Sequence, residues 1–193
     1  NLWELFNKAL LDPIIQEFIW NYKENVSKLA FAGSPFENVS VQELIQQIES
    51  RNKIEKKLPL WFSTSNIIFP PKLNLEQTSS EITAKYKATL VNGETLADIT
   101  GGFGIDCYFF SEKFSAVDHF EIDAALSEMA AHNFKILNRP NVHCFAQDGL
   151  NTVLNNKYSV IYADPSRRHN SKGKVFLLND CLPNIPENIS ALL

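Results

Sequence analysis

From residue 95 onward, short apolar runs alternate with segments of helical spacing, and that alternation restricts this chain more than any other feature. Strands are expected at residues 95–99, 115–121, 142–145 and 159–163, with helices at 106–111, 124–137 and 150–154 between them. Strand–helix repetition at this interval builds a parallel sheet with right-handed crossovers. Ligands of such sheets bind outside the carboxyl ends of the strands, where the strand order reverses.

Each expected strand end carries an acid: Asp98, Glu121, Asp148 and Asp164. The first end also holds Gly101, Gly102 and Gly104 of "DITGGFG", three of the chain's 7 glycines. Glycine there lets a ligand approach the backbone and the following helix N-terminus, although a sharp turn alone also uses it. The dinucleotide pattern GxGxxG is not met, because Cys107 stands where its third glycine is needed. Glu121 suits a carboxylate that accepts hydrogen bonds from both ribose hydroxyls, and Asp123 is available to cap the next helix.

Upstream the pattern changes. Residues 1–57 carry apolar residues at i, i+3, i+4 spacing and are expected to form a small N-terminal helical domain. Asp12 with Pro13 suits a helix start, Gly33 a stop, and Ser40 with Glu43 a capping box. Residues 58–75, broken by Ser, Asn and a double proline, read as a linker or irregular hairpin. Residues 76–193 then form the sheet domain, opening with a helix capped by Ser79 or Ser80.

Composition excludes several classes. At 193 residues and 45% hydrophobic content, the chain can bury a real core, while its apolar runs fall short of a membrane span; a cytosolic location is expected. A net charge of −4 argues against a nucleic-acid sleeve, with one local exception in Arg167, Arg168, Lys172 and Lys174. Cys107, Cys144 and Cys181 form no CxxC pair and the histidines lack ligand spacing, so reduced thiols and no metal are expected. The chain opens on Asn and closes on the apolar "NISALL", which reads as a fragment of a longer protein.

These motifs together resemble class I S-adenosylmethionine (SAM)-dependent methyltransferases. "LADITGGFGID" is similar to the family's first motif, "FEID" to its acidic second-strand end, "AQDGL" to its adenine-contacting turn and "YADPSRR" to its fourth-strand motif. With "LEQTSSE" ahead of them, they look most like bacterial methyltransferases carrying a C-terminal THUMP-like domain, and more distantly like trimethylguanosine synthase. The resemblance implies a Rossmann-like sheet, truncated after the fourth strand, behind a helical domain. It also implies SAM as cofactor and a base amine of tRNA or rRNA as acceptor.

Carried over by residue, the resemblance puts Gln77, Ser80, Asp98, Gly102, Gly104 and Asp106 around the methionine part of SAM. Glu121 would hold the ribose, Ile122 would pack on the adenine and Asp148 would accept from its amino group. Asp164 and Pro165 would orient the acceptor, with Arg167 and Arg168 on a substrate phosphate; a solvated loop is the plain alternative for the two arginines. Ser166 and Arg167 depart from the Pro and aromatic residue usual after Asp-Pro, which removes ring stacking from that motif. A methyltransferase of a small molecule or protein, and a non-catalytic SAM-binding module, both stay open. Oligomeric state is not legible.

Overall fold

In the computed structural model, residues 6–165, 168–169, 173–174, 177–181 and 183–192 are described. The N-terminal region is helical. After a 3-10 turn at Lys8–Leu11, α1 (Pro13–Asn21) starts where Asp12 Oδ1 accepts from Ile14 N at 2.8 Å. The chain breaks after Tyr22 because Asn25 caps a new helix, α2 (Val26–Ala32), which Gly33 ends at φ +81°. α3 (Val41–Ile54) begins with the expected Ser40/Glu43 capping box and buries Leu44, Ile48 and Ile54.

Residues 58–75 form no hairpin. They fold as two short helices, α4 (Pro59–Ser63) and α5 (Lys72–Gln77), around an extended stretch whose Ile67, Ile68 and Phe69 are buried. The physical reason is that two buried amides do a hairpin partner's work. Asn133 accepts from Ile68 N at 2.9 Å and donates to Ile68 O at 2.8 Å; Gln47 accepts from Phe69 N at 2.9 Å and donates to Phe69 O at 2.7 Å. With its backbone groups satisfied from both sides, the stretch runs through the interior rather than over the surface. Trp61 and Leu58 join the sheet's core, Ile68 joins the helical one, and the Arg51 guanidinium sits 4.1 Å from the ring centres of both Trp20 and Phe62.

Beyond α6 (Glu81–Thr89) come β1 (Thr95–Asp98), α7 (Ile105–Phe110), β2 (Ala116–Phe120), α8 (Ala124–Ile136), β3 (Val142–Phe145), α9 (Gly149–Val153) and β4 (Val160–Tyr162). The strands are parallel in the order β3-β2-β1-β4. Leu96, Val117 and Val142 face one core with Phe110 and Phe134; Ala97, Ile99, Phe120 and Val153 form a second. Burial on both faces is what crossover helices impose on a parallel sheet. The chain runs outward through β2 and β3 and then returns to pair β4 with β1, so the order reverses between those two strands. Asp98 stands in register with Tyr162 on one side and His119 on the other.

Past β4 lie two short antiparallel strands, β5 (Arg168–His169) and β6 (Gly173–Lys174), which the sequence pattern does not announce. α10 (Ile185–Leu192) then packs Ile185 and Leu192 against the second core. Among the described residues no helix is long and apolar enough to cross a membrane.

Candidate functional site

The glycine turn sits at the reversal point, and its glycines are there for different reasons. A Cβ on Gly101 would lie 2.4 Å from His119 Nε2, and one on Gly104, at φ +86°, would lie 2.5 Å from Phe134 Cζ. Both are packing requirements of the protein itself. Gly102, at φ +54°, is different: a Cβ there would meet only the Thr100 carbonyl at 3.8 Å. Gly102 is therefore the member of the cluster open to a ligand.

Asp98 ends β1 almost wholly buried, 1% exposed. It accepts from Thr100 N at 2.9 Å, from Thr100 Oγ1 at 3.1 Å and from the Cys107 thiol at 3.2 Å. Burial nevertheless prevails over these bonds and pushes its pKa up to about 7. Thr100 Oγ1 also accepts from Asp164 N at 2.7 Å, so one hydroxyl links the ends of β1 and β4.

Five polar side chains meet beside it. The three N–H groups of the Lys87 ammonium, on α6, are shared among four acceptors: Asp106 Oδ2 at 3.1 Å, Asp164 Oδ2 at 3.1 Å, Ser79 Oγ at 2.9 Å and the Tyr162 hydroxyl. Asp106 Oδ2 also accepts from Ser79 Oγ at 3.0 Å and from Tyr162 Oη at 3.2 Å. Burial alone would lower the Lys87 pKa, but the Asp106 and Asp164 carboxylates outweigh it and raise it, so the ammonium stays charged. Burial, then Asp106 and Asp164, raise the Tyr162 phenol and keep it a neutral donor. The Asp164 side chain remains 60% exposed.

Glu121 follows β2. Oε2 accepts from Gly102 N at 2.9 Å and Oε1 from Asp123 N at 2.8 Å, while burial raises its pKa. A carboxylate has about four lone-pair sites, so each oxygen can still accept one bond. Next to it Ile122 is 75% exposed, and Phe145, at the adjoining end of β3, is partly exposed and stacked on Phe120 at 5.1 Å. Asp123 caps α8 as expected, and Asp148 caps α9 through Leu150 N at 2.9 Å and is exposed.

The structure thus brings together Asp98, Gly102, Asp106, Glu121 and Asp164, with Gly104 beneath them as a packing position. Ser80 spends its hydroxyl capping α6; the neighbouring Ser79 is the one bonded to Asp106. Gln77 closes α5 and is exposed, and Pro165 is half-buried. Arg167 lies outside the described residues, and only the backbone of Arg168, in β5, is described. Sequence reasoning missed Lys87, Tyr162, Thr100 and His119. Tyr162 had a signal, since it stands two residues before Asp164 in "YADP"; Lys87 had none, because nothing in a helix pattern tells which lysine turns inward. A cavity of about 480 Å³ lined by α8, β3 and the loop between them, including Lys135, Arg139 and Cys144, contains none of these groups.

No family model matches the chain, and no curated protein does. Among solved structures, an rRNA methylase from Streptococcus thermophilus overlaps with a TM-score of 0.35 at 17% identity, over 45% of this chain and 49% of that one. A candidate methyltransferase from Streptococcus mutans, in complex with SAH, gives 0.43 at 15% identity over 58% and 65%. Such partial overlaps carry no weight. A candidate methyltransferase from Porphyromonas gingivalis W83 superposes with a TM-score of 0.79 at 27% identity, over 96% of this chain and 47% of that one. The chain therefore spans about half the length of a candidate methyltransferase to which it is similar nearly throughout, N-terminal helices included.

Proposed function

We propose that this chain is the cofactor-binding part of a SAM-dependent methyltransferase whose acceptor is a base amine of RNA. The observation that carries the reading is the crevice at the β1/β4 reversal. There Gly102 is open, Glu121 is fixed against it at 2.9 Å, and Asp164 projects from the next strand end. Likeness to a candidate methyltransferase over 96% of the chain supports it.

The residues fit SAM. Glu121 keeps lone pairs for two ribose hydroxyls, Ile122 offers an exposed apolar side chain to an adenine ring, and the exposed Asp164 presents a carboxylate to a cationic ligand. Bound there, SAM supplies a methyl group already activated on a sulfonium. The chain's task is mostly positioning, which is worth up to about 7–11 kcal/mol in favourable cases. Asp164 would accept hydrogen bonds from the acceptor amine and stabilise the positive charge that develops on its nitrogen. Lys87 and Thr100 hold Asp164 for that role.

The RNA acceptor rests on the motif resemblance and on the basic run Arg167, Arg168, Lys172 and Lys174 that follows Asp164 in sequence. The THUMP-like affiliation has the same basis, as does a cytosolic location. Calorimetric titration of S-adenosylhomocysteine (SAH) into the chain and into Asp98→Ala and Glu121→Ala tests the cofactor reading. Binding lost in both variants is expected, and a parent protein that binds no SAH would overturn it. RNA binding that is insensitive to salt, or absent, would redirect the acceptor to a small molecule or protein.

A further inference from the structure

Three successive residues after the middle of β2 grip the glycine turn. The Phe120 carbonyl accepts from Gly101 N at 2.8 Å, Glu121 Oε2 accepts from Gly102 N at 2.9 Å, and His119 Nε2 lies 3.0 Å from Gly102 O. Because its partner is a carbonyl, Nε2 carries the proton and donates. Nδ1 is then a bare acceptor, buried and without a partner among the described residues.

Such a histidine is a poor choice for a core. The ring is 0% exposed, meets Phe134 edge-on at 5.9 Å and presses on Gly101 so closely that only glycine fits there. An apolar side chain would fill the same space and leave no nitrogen desolvated. What the imidazole adds is one hydrogen bond, to the Gly102 carbonyl. The other two grips hold N–H groups; this one alone holds a carbonyl and so sets the tilt of the peptide plane after Gly102. In a planar trans peptide, a carbonyl drawn toward His119 turns the Phe103 N–H the opposite way.

We propose that His119 is a positioning residue for cofactor binding, its Nε2–H anchoring the Gly102 carbonyl and presetting the turn against which SAM binds. The inference rests on the SAM-binding reading above. A turn held in its bound shape beforehand costs less to order on binding.

The test is calorimetric titration of SAH into the parent chain and His119→Gln, His119→Asn and His119→Leu, with thermal melting of each. Gln places an amide N–H near the Nε2 position and Asn near the Nδ1 position. Gln should bind SAH within about threefold of the parent, while Asn and Leu should bind at least about tenfold more weakly, the Leu variant still melting within a few degrees of the parent. A Leu variant that binds as tightly as the parent, or Gln and Asn weakened equally, would show that the ring only packs. If Leu does not fold, Gln against Asn decides alone. A parent chain that binds no SAH removes the SAM reading itself, and this inference with it, whereas a bound parent with unaffected variants removes only the inference.

Discussion

The ammonium of Lys87 lies 3.1 Å from the Asp164 carboxylate, and 3.1 Å on another side from Asp106. One cation from α6 thereby joins a residue on the first turn of α7 to the end of β4, elements far apart in sequence. The two acids differ sharply in exposure, 13% for the Asp106 side chain against 60% for Asp164, and the energetics should follow that difference.

Replacing Asp106 by Asn is therefore expected to cost about 1–3 kcal/mol in urea unfolding, since it leaves a mostly buried ammonium short of its main partner. Asp164→Asn should cost less than about 1 kcal/mol, as exposed pairs do, while weakening methyl transfer. Equal losses would mean that the network is not organised around Asp106.

Asp98 should make stability depend on pH. Its folded pKa, about 7, lies above the ordinary 3.8, so between those values the folded state holds the proton more tightly than the unfolded chain. That contribution is fully present below about pH 4 and is lost as pH rises through 7, on the order of 2–4 kcal/mol. His119 acts oppositely: burial lowers its pKa from 6.5, so its share is lost as pH falls below that value. The readout is accordingly the difference between the parent and Asp98→Asn in urea melts from pH 5 to 8. The variant should gain on the parent as pH rises; a flat difference would show that Asp98 is ionised in the fold throughout.

Two glycines of one turn should respond differently to alanine. Gly104→Ala combines a left-handed φ with a Cβ 2.5 Å from Phe134, and is expected to lose about 2–4 kcal/mol. Gly102→Ala has a left-handed φ but open space, and should lose only about 1–2 kcal/mol. The SAH affinity of the Gly102 variant should fall more than its stability does. Thermal melts paired with SAH titration separate the two cases.

Asn133 holds both backbone groups of Ile68 from a fully buried position. Asn133→Leu leaves an N–H and a carbonyl unmet in the interior, which should cost about 2–4 kcal/mol. Amide hydrogen exchange should quicken at Ile68 first. A variant as stable as the parent would mean that the stretch has found water or another partner.

The order of elements, the parallel sheet and the acids at its strand ends were legible in the chain because each depends on local spacing: apolar period, caps such as Ser40 and Asp12, and turn glycines. The same local signals mark Glu121 and Asp164 without saying what they touch. Two things lay beyond that reach. The stretch around Ile68 reads as a linker or irregular hairpin, and only the arrival of Gln47 and Asn133 from distant helices allows it to be buried. Lys87 likewise reads as one solvated lysine among many, until α6 docks with that side facing α7 and β4. Periodicity specifies which face of an element is apolar, whereas a polar contact between elements depends on the angle and depth at which they pack. Only the tertiary structure sets those.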